Sequence, residues 1–267
     1  MVAARVLHVS DLHIGRREAP EPLAALGELV ARLEPELLLA TGDLAHRGRP
    51  DQLERASALL LSLGLPLLAV PGNHDIPYTV PARVTRTFVE WERVFGAVEP
   101  VYFSERLVVV GLNSVRPWRQ QGGALPEVQL ARAASRLRDA PAGALRMVAL
   151  HHHLAAPPWR ARRKRPLRGR DAVLQSLAAA GAELVVGGHV HQAAIAERRE
   201  FEALEDGPRG SLVLATAPGF GRPRPHRRGE ARGANVYGWD EDALTVTTYA
   251  WDGSGFSEAG RRTFLRR

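Results

Sequence analysis

Short, mostly apolar runs of four to six residues recur through the first two-thirds of the chain, and each closes on a turn or a polar cluster. They occupy residues 5–9, 36–40, 65–70, 107–112, 145–150 and 183–186. Runs that do not alternate with polar residues suit strands buried on both faces, which need a layer of structure on either side. Between them, residues 22–33, 50–63, 82–95, 126–138 and 170–180 carry apolar positions at helical spacing. Pro50 and Pro126 suit a first helical turn, where a missing N–H is not felt. Gly64 and Gly181 suit helix exits. Strand and helix in alternation predict an α/β fold.

Beyond His191 the pattern changes. Residues 212–216, 234–239 and 244–251 alternate or are β-branched, with Gly, Asp and Pro turns between them. Residues 210–267 are therefore expected to be mainly β and to complete a second sheet. No repeat or linker is visible, and 267 residues suffice for one sizeable core, so a single domain is expected. Two Arg-rich stretches, 159–170 and 222–232, also hold Pro and Gly and are expected to be loops.

The chain has no cysteine. Disulfide scaffolds, thiolate nucleophiles and Cys-based zinc or iron–sulfur sites are excluded together. Any metal must be held by His, Asp, Glu or Asn, a donor set open to Mn, Fe, Zn and Co. The net charge is +7, and Lys164 is the only lysine. An arginine skew of that kind fits compositional bias as well as nucleic-acid binding, although a positive field would draw in anionic substrates. No apolar run has the length of a membrane span, and the first apolar run begins at once, so a cytoplasmic protein without membrane contact is expected.

Polar residues at the run ends carry the chemistry. Asp11 and His13 follow the first run, Gly42-Asp43 the second, and Gly72-Asn73-His74-Asp75 the third. His151-His152-His153 and Gly188-His189-Val190-His191 follow two later runs. In open α/β sheets, ligands bind beyond the carboxyl ends of strands, so five clusters at five such ends converge. Each piece alone is weak, since Gly-Asp is mostly a turn and Asn-His-Asp after Gly makes an ordinary loop. On an extended segment, His-x-His points both rings to one side. Together they match what two cations about 3.5–4 Å apart require: a shared carboxylate, a shared water, and neutral imidazole and amide ligands. Asp11 and Asp43 would offset about half of the four positive charges. The surplus polarises a phosphoryl group and lowers the pKa of the shared water.

The strings DLH, GDL, GNHD, HHH and GHVH resemble the calcineurin-like metallophosphoesterase superfamily over roughly residues 5–191. HVSDLHIG, GDLAHRGRP, VPGNHDIP and GLNSVRPW are most similar to its bacterial phosphodiesterase branch, which includes the class III cyclic-nucleotide phosphodiesterases. The resemblance implies a four-layer αββα sandwich of two mixed β-sheets flanked by helices. It implies two metal ions, with Asp11, His13 and His191 on one, Asn73, His189 and a triplet histidine on the other, and Asp43 bridging. It further implies a bridging hydroxide that attacks phosphorus while His74, oriented by Asp75 behind it, protonates the leaving oxygen. Relatives carry proline where this chain has Leu154. Aligning on their His-Pro dipeptide selects His152 as the triplet ligand, with His151 second.

The expected substrate is a small phosphodiester such as a cyclic nucleotide. Nuclease action is the runner-up, since DLHIG and GNHD also resemble the double-strand-break repair nucleases, and a phosphomonoesterase comes third. An inactive binding or scaffold protein with the same fold is the alternative of a different class. Purple acid phosphatases place an iron-ligating tyrosine where His46 stands, and His46 reads as a plain loop histidine. His8, inside an apolar run, reads as a hydrogen-bonded core residue. Trp118, Trp159 and Phe220 read as packing aromatics rather than base-stacking ones.

Overall fold

The computed structural model describes residues 4–16, 20–119, 121–155, 164–200, 212–221 and 231–266. Two six-stranded mixed sheets face each other between helices. The first has the order β12-β11-β10-β1-β2-β3, from β1 (Ala4–Val9), β2 (Leu37–Ala40), β3 (Leu67–Ala69), β10 (Gly233–Trp239), β11 (Ala243–Trp251) and β12 (Phe256–Leu265). The second has the order β4-β5-β6-β7-β9-β8. Its strands are β4 (Val101–Phe103), β5 (Leu107–Gly111), β6 (Leu145–Ala149), β7 (Leu184–Gly187), β8 (Ala194–Glu197) and β9 (Val213–Thr216). β1, β2 and β3 run parallel, as do β5, β6, β7 and β9, and the remaining pairs are antiparallel.

Side-chain alternation explains why the strands read as apolar throughout. Leu37 and Leu39 enter the core between the sheets, while Leu38 and Ala40 face the helices outside. In the second sheet Leu107 and Val109 point inward, and Val108 and Val110 meet the opposite helical layer. The outer layers are α1 (Pro20–Leu33), α2 (Pro50–Leu61) and α4 (Val89–Phe95) on the first sheet, and α5 (Glu127–Arg138) and α6 (Arg170–Ala179) on the second. This is the αββα sandwich that the motifs implied, with three apolar interfaces in place of one.

Two local expectations need revision. The helix expected over 82–95 is split into α3 (Ala82–Thr85) and α4. The Thr87 hydroxyl donates to the carbonyls of Arg83 and Val84, at 2.8 and 3.3 Å, which competes with continued helical bonding. The C-terminal strands were expected to complete the second sheet. Only β9 does so, because β10 pairs antiparallel with β1 and brings β11 and β12 into the first sheet. The edge strands β4, β8 and β12 carry little buried-face signal; seven consecutive residues of β12 are exposed.

His8 points into the inter-sheet layer as expected. Its ring is fully buried, with Nδ1 2.7 Å from the Tyr237 hydroxyl and Nε2 2.7 Å from Thr41 Oγ1. Burial drives its pKa down to about 3 against the pull of Asp11, so the ring is neutral. Phe220 is buried against Phe256, whereas Trp118 is exposed rather than packed. Of the two Arg-rich stretches, 156–163 and 222–230 lie outside the described residues. Among the described residues, no helix is long and apolar enough to cross a membrane.

Candidate metal centre

The loops that leave β1 and β2 run side by side past the strand ends. Asp11 N donates to Gly42 O, His13 N to Asp43 O and Ile14 N to Leu44 O, at 2.8 to 2.9 Å. The loop after β3 packs onto the second of these, and a Cβ on Gly72 would overlap the Asp43 backbone and carboxylate. Asp75 ties the two together, since its oxygens accept from Ala45 N at 2.7 Å and Gly72 N at 2.8 Å. Burial and the nearby Asp43 push the Asp75 carboxyl up to about 8, against those two N–H donors. From the second sheet, the turns after β6 and β7 reach over to the same place.

The side chains gather into two groups that share one residue. Asp11, His13, Asp43 and His191 form one, with all ligand atoms within 4.8 Å of one another. His191 Nε2 is 3.0 Å from Asp11 Oδ1 and 3.2 Å from His13 Nε2. The other comprises Asp43, His151 and His189. There His151 Nε2 stands 3.1 Å from His189 Nδ1, 3.4 Å from Asp43 Oδ1 and 3.2 Å from Asn73 Oδ1. Asp43 therefore offers Oδ1 to one group and Oδ2 to the other, where His13 Nε2 is 3.9 Å away. The carboxylate is held by the His74 amide, which donates to Oδ1 at 2.8 Å.

These donors fit a pair of cations. Asp43 Oδ2 is buried and has no hydrogen bond among the described residues. Burial holds His13 and His189 well below the ordinary imidazole range, so both are neutral and keep a lone pair. Asp11 and Asp43 are kept ionised: burial alone would raise them, and the neighbouring histidines, His191 and His151 first, outweigh it. His151 rises to about 9 because Asp43 outweighs the burial that opposes its charge. Its Nδ1 lies 2.7 Å from Thr41 O, which can only accept. The Nδ1 therefore carries a proton, and Nε2 is the atom turned to the acceptors that a cation would share.

The geometry corrects three readings from sequence. His152 was selected as the triplet ligand; its Nδ1 is 2.8 Å from Ser114 Oγ and its buried Nε2 has no hydrogen bond among the described residues, whereas His151 is the ring that joins Asn73, His189 and Asp43. Asp75 was expected to orient His74. Its oxygens are taken by the backbone of Ala45 and Gly72, and His74 Nδ1 instead lies 2.8 Å from the His46 carbonyl. His46, read as a plain loop residue, borders the site: its ring stacks 5.9 Å from that of His74, and the two gather with His13 into a third group.

The His-x-His rings converge for a different reason from the one expected. β7 ends at Gly187, and His189 and His191 lie beyond it in left-handed backbone, at φ 71° and 57°. Asp11, His13 and Asp43 share that conformation, at φ 56°, 52° and 52°. Among the described residues only one other non-glycine, Glu34, has positive φ. Each such residue costs on the order of 1 kcal/mol, and a concentration of them marks a functional site.

Residues 4–193 match the family of calcineurin-like phosphoesterases. The chain belongs to that family. Its fold is similar to that of the purple acid phosphatase PPD1 from yellow lupin (Lupinus luteus) seeds, with a TM-score of 0.71 and 14% identity. That match covers 99% of this chain and 54% of the lupin one. A structure of PhoD is similar at a TM-score of 0.69 and 10% identity, over 100% of this chain and 70% of that one. Zinc-bound wild-type Vps29 from Entamoeba histolytica is similar at 0.53 and 13% identity, over 97% and 99%. No curated protein matches the sequence. A calcineurin-like phosphoesterase with clustered His and Asp side chains is thus a metallophosphoesterase-class chain able to bind metal.

Proposed function

We propose that this chain is a dinuclear metal-dependent phosphodiesterase. Asp43 carries the reading, with one carboxylate oxygen in each ligand group. Asp11, Asp43, His13 and His191 would hold one ion, and Asp43, Asn73, His151 and His189 the other. When bound, a pair of divalent ions such as Mn, Fe, Zn or Co supplies Lewis acidity toward phosphoryl oxygens and makes a shared water more acidic. The motif strings resembling the bacterial diesterase branch favour a small diester over a monoester or a nucleic acid.

The remaining work belongs to the protein. Two carboxylates leave the site with positive charge in excess when it is loaded, which orients an anionic ester. His74 is half-buried, and its Nδ1 hydrogen bond to the His46 carbonyl fixes the tautomer. Nε2 is then the ring nitrogen left for the departing oxygen, and it donates a proton there from the imidazolium, in which both nitrogens carry one. The His13 ring meets it edge-on at 4.9 Å and limits its rotation.

Metal analysis of the purified protein and hydrolysis of bis-p-nitrophenyl phosphate with each metal in turn test the reading. Two equivalents of metal and turnover are expected. Metal uptake without turnover on any phosphoester would instead indicate a binding role. His74→Ala should keep both equivalents and slow alkyl esters by roughly 10²- to 10³-fold, with a much smaller loss for p-nitrophenyl esters. Equal losses for both would remove His74 from the acid role.

A further inference from the structure

The segments that follow His46 and His74 in the chain line a surface cavity of about 430 Å³, with neither histidine in its wall. Its walls are continuations of two site loops, residues 47–50 after His46 and residues 77–79 after His74 and Asp75. The loops press together at its base: Gly48 sits at φ 58°, and a Cβ there would overlap the backbone of Ile76. The His46 carbonyl meets His74 Nδ1 at 2.8 Å, so the cavity and His74 share one frame.

Three arginines, Arg47, Arg49 and Arg86, line it against one acid, Glu90. Glu90 is divided between Arg86, at 3.6 Å, and Arg93, at 3.0 Å, so the lining keeps positive charge in excess. The Arg47 guanidinium lies 5.5 Å from the centre of the Tyr78 ring. A guanidinium over a ring is fixed in plane, with its N–H fork presented at the edge, where it matches a phosphate. The volume lies within the range that admits a small organic ligand, far beyond a lone anion.

We propose that this cavity receives the leaving group of the substrate, and that this leaving group carries a second phosphate bound by Arg47 and Arg49. The proposal rests on the hydrolytic reading above, in which His74 faces the departing oxygen. Water then supplies the hydroxyl on phosphorus, the P–O bond to the leaving group breaks (an ester bond for an alcohol, an anhydride bond for a phosphate), and the released alcohol or phosphate takes the proton. A cyclic nucleotide has no second phosphate to offer and would use the cavity poorly. A short oligonucleotide and a nucleotide pyrophosphate both supply the required group.

Dithymidine monophosphate with and without a terminal 3′-phosphate, and ADP-ribose, are the probes, with bis-p-nitrophenyl phosphate as reference. The terminal phosphate should raise kcat/KM about tenfold, the effect of one modest anchoring interaction. Arg47→Ala/Arg49→Ala should erase that ratio. A gain confined to the oligonucleotide, or to ADP-ribose, supports the site and names its source. A ratio of one in the wild type, or one that survives in the variant, overturns the proposal even if the reference ester is hydrolysed. Calorimetric titration of the metal-stripped protein with thymidine 3′-phosphate against thymidine separates the two readings. Binding that needs the phosphate and is lost in the variant, without turnover of any ester, supports the anion site and sinks the hydrolytic reading alone.

Discussion

The two ligand groups are built differently. The outer group, Asp11, His13, Asp43 and His191, has two carboxylates, and its histidines keep 8% exposure. The deep group replaces the second carboxylate with Asn73, and its histidines, His151 and His189, are fully buried. Three of the four outer residues follow strands of the first sheet, whereas both deep histidines follow strands of the second. Both carboxylates are fully buried, and an unpaired buried carboxylate is expensive, so each is set against a histidine: Asp11 against His191 in the outer group, and Asp43 against His151 in the deep one. Asp43 belongs to both and couples them.

The largest effect should come from the shared residue. Asp43→Asn keeps the side-chain shape but removes the charge from both groups, so both metal equivalents should be lost and turnover should fall on the order of 10⁴-fold. Elemental analysis of the purified variant checks this. One full equivalent retained would mean that the two groups are independent and that Asp43 serves only one of them.

Single-group variants sharpen the comparison. His191→Ala and His151→Ala should each cost one equivalent and slow turnover by more than the roughly 10- to 100-fold expected of a supporting residue. His152→Ala should keep both equivalents and lose only stability, about 1–3 kcal/mol by urea unfolding, since it breaks the contact with Ser114. If His152→Ala loses metal and His151→Ala does not, the assignment of the triplet is reversed. Difference in depth gives a kinetic version of the same test. Under chelator, the outer equivalent should leave first, so the equivalent that His191→Ala retains should be the slow one in the wild type.

These outcomes bear on what the sequence makes legible. The layered fold was readable because strands covered on both sides are apolar on both faces, as at residues 37–40 and 107–110. The gathering of Asp11, His13, Asp43, Asn73, His189 and His191 at one place was readable because each ends or follows a strand, and strand ends of one edge meet. The choice between His151 and His152 was not, because it depends on which ring finds Thr41 O and which finds Ser114 Oγ, groups 110 and 38 residues away. His46 was hidden for a related reason: its contribution to His74 is a main-chain carbonyl, which any residue type would supply. The left-handed backbone at five site residues leaves no residue signature either, since Asp and His there look the same as in any other conformation.

The smallest effect expected lies beneath the two groups, where His8 connects them to the core. Its Nε2 bonds Thr41 Oγ1, and the carbonyl of the same threonine accepts from His151 of the deep group. Burial holds folded His8 near a pKa of about 3, against the ordinary imidazole value of 6.5 that the unfolded chain would show. Below pH 6.5 the unfolded chain therefore takes up a proton that the folded one refuses. The His8 contribution to stability should fall by about 1.4 kcal/mol per pH unit across that window, ending near pH 3. His8→Gln removes the titration while keeping a polar side chain. Urea unfolding should find it roughly 1–2 kcal/mol weaker than wild type at pH 7.5, from the disturbed hydrogen bonds, with the gap narrowing at pH 5. A gap that widens toward acid would mean that folded His8 accepts the proton, and the layer beneath the deep group would then be far more polar than its contacts indicate.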